Sequence, residues 1–167
     1  QGVEAQRGPL PSRPHRAPWR TIVVIPTYNE QDNLEPIVTA IHAYLDCDLL
    51  IVDDGSPDGT GAIADRLAAA DRRIHVLHRK GKQGLGTAYI AGFHFAIERG
   101  YERVCEMDAD FSHAPWDLPR LVMASAEHEL VIGSRYVRGG CTVGWDFKRR
   151  MLSRGANLYT RLWLSSG

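Results

Sequence analysis

Two carboxylates separated by one small residue, Asp108-Ala109-Asp110, close the short apolar run that begins at Val104. If that run is a strand, side chains two residues apart leave the backbone on the same side. Asp108 and Asp110 then lean toward one point beyond the strand's carboxyl end, where open α/β sheets bind ligands. Two hard oxygen donors there suit Mg2+ or Mn2+, which take one or two carboxylates, some waters and the oxygens of a substrate diphosphate. By itself Asp-x-Asp is too short to define a site, because charged pairs near loops are usually just solvated. Its weight depends on the rest of the chain.

Asp53-Asp54-Gly55-Ser56-Pro57-Asp58-Gly59-Thr60 first invites a calcium reading, with Asp54, Ser56, Asp58 and Gly59 at positions one, three, five and six of an EF-hand loop. Pro57 stiffens that loop, position twelve is Asp65 rather than Glu, and a strand-like run precedes it, so the reading fails. A Gly-rich turn with Ser56 or Asp58 as helix cap explains much of the stretch. It does not explain two successive carboxylates at a strand end, one of which can accept hydrogen bonds from a nucleotide base or ribose. Lys80 to Gly86 has glycines at 81, 84 and 86, which is not the dinucleotide fingerprint; a phosphate-side loop is one reading of it, and a plain connection is the better one. His113, three residues past Asp110, reads as a turn or cap residue. Arg135, in Gly133-Ser134-Arg135-Tyr136, carries a planar fork suited to a diphosphate oxygen. Arg149 and Ser153 are four apart, so on a helix they share a face, as do Arg150 and Arg154; for any one arginine a solvated cationic face is the plain alternative.

The elements that must hold these residues alternate. Thr21 to Ile25 is a continuous β-branched run, as expected of a strand buried on both faces. A helix is predicted from Asn33, with Pro36 tolerable in its first turn and an apolar stripe through Leu34, Ile37, Val38, Ile41 and Leu45. Further strands are predicted at Leu49–Val52, Ile74–Leu77, the Val104 run and Leu130–Gly133, with helices after Thr60, from Gly86 to about Glu98, over Trp116–Glu127 and over Arg149–Leu164. This alternation predicts an α/β fold with a mostly parallel central sheet covered by helices on both faces. Residues 1–20, rich in Pro and Arg without apolar periodicity, read as a disordered leader, and 21–167 as a single domain that looks cut short at its carboxyl end.

Composition narrows the class. Lys+Arg and Asp+Glu are both 20, which argues against bulk nucleic-acid binding. Cys47, Cys105 and Cys141 are odd in number and lack zinc spacing, which fits reduced thiols in a reducing compartment. The longest apolar runs, such as Leu49 to Val52, are far too short to span a bilayer.

Taken together, Pro26-Thr27-Tyr28-Asn29-Glu30, the stretch from Asp53 to Thr60, Asp108-Ala109-Asp110, Gly133-Ser134-Arg135-Tyr136 and Arg149-Arg150-x-x-Ser153-Arg154-Gly155-Ala156-Asn157 resemble family 2 glycosyltransferases. More narrowly they are similar to dolichyl- or polyprenyl-phosphate mannose synthases. The likeness runs from about Thr21 to Leu164, with five motifs in order. It implies a GT-A (Rossmann-like) fold, a GDP-mannose donor, Mg2+ or Mn2+ at the Asp-x-Asp pair, and a polyprenyl or dolichyl monophosphate acceptor in the membrane. By the same resemblance Pro26, Tyr28 and Glu30 line the nucleotide pocket, with Val52 and Asp54 at the guanine. Asp108, Ala109 and Asp110 hold metal and diphosphate, Arg135 touches phosphate, and Arg149 and Ser153 face the acceptor phosphate. Asp110 and Arg135 are the implied catalytic pair.

Two departures stand out. Some family members carry Gln two residues after the second Asp, where this chain has Ser112, a poorer ligand. The family's catalytic domain also continues past the final helix with further basic residues. The implied setting is peripheral, on the cytoplasmic side of a membrane, with a membrane-anchoring domain or subunit left open. The acceptor phosphate is already anionic, so no general base is required. The rivals are a related transferase using UDP-glucose or a similar donor, and a nucleotide- and metal-binding module without turnover.

Overall fold

The computed structural model describes residues 10–134; Arg135, Arg149, Ser153 and the expected final helix lie outside them. The described residues up to Ile132 belong to one compact unit. Its elements are β1 (His15–Arg16), β2 (Thr21–Thr27), α1 (Leu34–Tyr44), β3 (Leu45–Asp46), β4 (Asp48–Asp53), α2 (Thr60–Ala70), β5 (Ile74–His78), α3 (Leu85–Glu98) and β6 (Arg103–Glu106). A 3-10 turn (Pro115–Asp117) and α4 (Leu118–Ala124) follow.

Four strands form a parallel sheet in the order β5-β4-β2-β6. The chain starts at β2, moves outward through β4 and β5, then crosses back to lay β6 on the other side of β2. Strand order therefore reverses between β2 and β6, a switch point at whose carboxyl end open α/β sheets bind ligands.

Ile22 to Ile25 and Leu49 to Val52 are wholly buried, which is why these strands read as unbroken apolar runs. On one face Val23, Ile25, Leu49 and Ile51 pack with Leu34, Ile37 and Ile41 of α1, Ala64 of α2, and Leu118 and Val122 of α4. On the other, Ile22, Val24, Leu50 and Val52 meet Ala88 and Ala96 of α3. The helix seats so closely that a Cβ on Gly92 would lie 2.5 Å from Val24 Cγ1. Only glycine permits that approach.

Three expectations need correction. Within the expected disordered leader, His15–Arg16 pairs in parallel with Leu45–Asp46, and Trp19 packs on the core. The stretch gains order from a neighbouring edge, which no local periodicity reports. The run from Leu130 to Gly133 is not a strand among the described residues, and Leu130 and Ile132 are 77% and 75% exposed. Apolar content alone supplies no partner for the ladder. The helix expected over Trp116–Glu127 is α4, ending at Ala124 after the 3-10 turn.

Candidate active site

The carboxyl ends of β4, β2 and β6 lie side by side and bring together three of the sequence motifs. Asp54 N donates to Thr27 O at 3.0 Å on one side of β2, and Met107 N donates to Val24 O at 3.1 Å on the other. The end of β2 thus separates the Asp53-Asp54 pair from the Asp-x-Asp turn.

β6 stops at Glu106, so Asp108 and Asp110 lie in a turn beyond the ladder rather than in the strand itself. Packing sets which residues of this turn stay outside the core. Met107 and Ala109 are each 2% exposed and sit in the core with Leu118 and Val122, leaving Asp108 half-buried and Asp110 exposed on the open side. Tyr89 of α3 donates its hydroxyl to Asp108 Oδ1 at 2.9 Å. Burial, followed by that bond to Asp108, pushes the Tyr89 phenol well above its ordinary range, so it stays a donor. Asp110 accepts from Ser112 N and from Ser112 Oγ, both at 2.9 Å. His113 takes a turn role, its Nδ1 3.4 Å from Asp108 N. Burial and the neighbouring Asp108 raise the pKa of Glu106.

Asp53 and Asp54 have different tasks. Asp53, 2% exposed, ties loops together: its Oδ1 accepts from Thr27 Oγ1 at 3.2 Å and from Ser56 Oγ at 2.5 Å. Ser56 Oγ in turn accepts from Asn29 N at 3.1 Å, and Asp58 accepts from Gln31 N at 3.1 Å and Thr60 N at 3.0 Å. Glu30 N donates to Thr60 Oγ1 at 2.9 Å, while the Glu30 carboxylate accepts from Asn33 Nδ2 at 2.8 Å beside the start of α1. The Pro26–Glu30 and Asp53–Thr60 loops are therefore one hydrogen-bonded wall.

Asp54, 5% exposed, faces Arg79 and accepts from Gln83 N at 3.1 Å. Lys82 Nζ stands 4.4 Å from the centre of the Tyr28 ring. The Lys80–Gly86 stretch, expected to be a plain connection, is thus a third wall beside Tyr28 and Asp54. Val52 is wholly buried under α3 and Ala109 is buried in the core; each can offer the carboxyl edge of the sheet only backbone.

Tyr89, Arg79, Gln83 and Ser112 are the residues that sequence reasoning missed or undervalued. One signal was present: Ala88, Gly92 and Ala96 repeat every four residues. Such a small-residue stripe seats a helix closely, and it puts the adjacent Tyr89 at the sheet's carboxyl edge. Among the described residues no three His, Cys, Asp or Glu side chains group as metal ligands. The donor set nonetheless fits Mg2+ or Mn2+. Two carboxylates leave octahedral positions for waters and diphosphate oxygens, and Asp108 Oδ2 has no partner among the described residues. A groove of about 670 Å³ lined by Arg16, Trp19, Arg20, Asp46 and Asp48 lies at the opposite, amino-terminal edge of the sheet. Its carboxylates are already engaged, Asp46 with Arg73 at 3.3 Å and Asp48 with the Tyr101 hydroxyl at 2.5 Å.

A parallel sheet with carboxylates at its switch point belongs to the α/β class that binds ligands at that edge, and the comparisons narrow the family. The chain belongs to glycosyl transferase family 2, whose model matches residues 22–166. It is 54% identical over 155 residues to a polyprenol monophosphomannose synthase of Mycolicibacterium smegmatis, covering 91% of this chain and 58% of that protein. It is 51% identical over 146 residues to an undecaprenyl-phosphate mannosyltransferase of Micrococcus luteus, covering 87% and 60%. The chain therefore spans about three fifths of these relatives' length. A mannosyltransferase from Pyrobaculum calidifontis, solved in complex with GDP-Man and Mn2+, shares the fold at a TM-score of 0.55 and 24% identity, covering 67% of this chain and 36% of that one. The parallel α/β arrangement is of the GT-A kind.

Proposed function

We propose that this chain carries the donor-binding and catalytic part of a metal-dependent, inverting glycosyltransferase. The reaction moves mannose from GDP-mannose to a polyprenyl or dolichyl monophosphate and gives a β-mannosyl phosphate lipid. The observation that carries this reading is that the Asp-x-Asp turn and Asp54 flank the carboxyl end of β2 from its two sides, just where that strand runs into Tyr28. The names of the two curated relatives, and the GDP-Man and Mn2+ of the Pyrobaculum complex, support the choice of substrates and metal type.

In this reading Pro26, Tyr28 and Glu30 bound the nucleotide, and Asp54 with the backbone of Val52 meets the guanine. A divalent ion held by Asp108 and Asp110, with the backbone of Ala109 alongside, would supply charge neutralisation on the departing diphosphate. By the motif resemblance Arg135 touches phosphate, and Arg149 and Ser153 face the acceptor phosphate. The acceptor oxygen is anionic at neutral pH, so the protein's task is alignment for in-line attack at the sugar carbon. That attack inverts the α-linked donor. Residues 21–167 belong to the GT-A domain in this reading. The lipid acceptor sets the working position at the cytoplasmic surface of a membrane. Among the described residues no helix is long and apolar enough to cross one.

The test is incubation of the chain with GDP-mannose, polyprenyl phosphate and Mn2+ or Mg2+, with UDP-glucose in a parallel reaction. The expected product is a mannosyl phosphate lipid whose anomeric signal is β. Preferential transfer from UDP-glucose would move the donor assignment. Nucleotide binding without any transfer would leave a binding module.

A further inference from the structure

We infer that Tyr89 is a positioning residue: its hydroxyl holds Asp108 Oδ1 and so sets the direction in which Asp108 offers its other oxygen to a divalent ion. The inference rests on the assignment of Asp108 to the metal made above. Asp108 needs such a tether, because the β6 ladder has ended. Its last backbone bond is the one from Met107 N to Val24 O at 3.1 Å, and the contact of Asp108 N with His113 is a long 3.4 Å. Asp110 has its own tether in the Ser112 hydroxyl and amide. Asp108 has no such group in its own turn and takes its hydroxyl from α3.

That hydroxyl comes from a rigid support. α3 is clamped to β2 through Gly92 against Val24, and the Tyr89 ring packs with the cluster around Ile22 and Val24. A donor carried on a packed helix fixes a ligand more sharply than one on a loop. Asp108 Oδ1 is therefore held at 2.9 Å, and the rotation that would swing Oδ2 away is restrained. A merely structural role is the alternative: a half-buried phenol that takes the nearest acceptor.

The two are separated by Mn2+ binding to the full chain in the presence of GDP, read from the electron paramagnetic resonance of free Mn2+. Wild type, Tyr89→Phe, Asp108→Asn and the double variant are compared. Loss of a group that orients a metal ligand costs roughly 10- to 100-fold in metal affinity, and Tyr89→Phe is expected to lose that much. GDP affinity without metal should stay within about twofold, since the variant changes nothing on the nucleotide walls. The double variant should bind Mn2+ no more weakly than Asp108→Asn, because the hydroxyl then has no carboxylate to orient. Tyr89→Met, which also lacks the hydroxyl, serves if Tyr89→Phe folds poorly. Mn2+ affinity retained in the hydroxyl-less variants while Asp108→Asn loses it overturns the inference. Additive losses in the double variant also overturn it and make Tyr89 structural. Retention of affinity in Asp108→Asn itself removes Asp108 from the metal, and the inference falls with that assignment.

Discussion

Arg79 and Asp54 stand 3.2 Å apart, Nη1 to Oδ1, with 9% and 8% of their side chains exposed. The pair is an ion pair without an aligned hydrogen bond between those two atoms. Arg79 Nη2 donates to Thr87 Oγ1 at 2.6 Å and to Gln83 Oε1 at 3.1 Å, which fixes the guanidinium against the base of α3. Removing one member of a buried pair strands the other charge and costs about 3–5 kcal/mol.

Asp54→Ala is therefore expected to destabilise the fold by several kcal/mol, and its effect on ligand binding would be mixed with unfolding. Asp54→Asn also leaves the Arg79 charge unpaired, but it keeps the volume and an acceptor oxygen for Gln83 N, so with its melting temperature measured alongside it is the better probe of the base pocket. If Asp54 meets guanine, GDP should weaken far more than inorganic diphosphate in calorimetry. Equal losses for the two would move Asp54 away from the base.

Asp110 presents the opposite case. It is exposed, and among the described residues its hydrogen bonds come from Ser112 within its own turn; surface substitutions of this kind change stability by about 0.5 kcal/mol or less. Asp110→Asn should melt like wild type yet lose Mn2+-dependent GDP-mannose binding. Unchanged donor affinity with metal present would take Asp110 out of the metal site.

Gly92→Ala tests how α3 is seated. A methyl 2.5 Å from Val24 Cγ1 cannot be accommodated without moving the helix off β2, and overpacking of this sort costs about 1–3 kcal/mol. The melting temperature should fall by roughly 2–12 °C, at 2–4 °C per kcal/mol for a chain of this size. A melting temperature equal to wild type would mean that α3 does not sit this close to the sheet.

His42 makes stability depend on pH. Burial first, then the Arg73 guanidinium, lower its pKa below the ordinary value, with Asp71 opposing. As pH falls below about 6.5 the unfolded chain takes up this proton before the folded one does, so stability is complete above that pH and declines toward pH 5. Asp71, held down to about 2 by hydrogen bonds from Arg73, stays ionised across that window. His42→Gln should flatten the decline in melting temperature between pH 7 and pH 5. The same decline in both proteins would trace it to other groups.

Much of this arrangement is legible in the amino-acid sequence. Thr21–Ile25 and Leu49–Val52 announce strands because burial on both faces demands unbroken apolar runs, and their alternation with helical stripes requires parallel crossovers. The Asp-x-Asp pair, the Asp53–Thr60 turn and the Pro26–Glu30 breaker each close a predicted strand. A chain of parallel strands must bring such ends to one edge of the sheet.

What the amino-acid sequence by itself determined, then, is the local period of each element, the edge to which the carboxylates belong, and the family they resemble. Tertiary structure alone decided the neighbours. It gave Asp108 a hydroxyl from Tyr89, 19 residues earlier in the chain, turned the Lys80–Gly86 loop into a wall beside Asp54, and left Leu130 and Ile132 in solvent. It also paired His15–Arg16 with Leu45–Asp46 in a stretch without any periodic signal. The physical reason is the same each time. Periodicity records which side of an element is buried, whereas a hydrogen bond or ion pair between distant residues depends on where the strand order reverses and how closely a helix can seat, and neither is written in any local window.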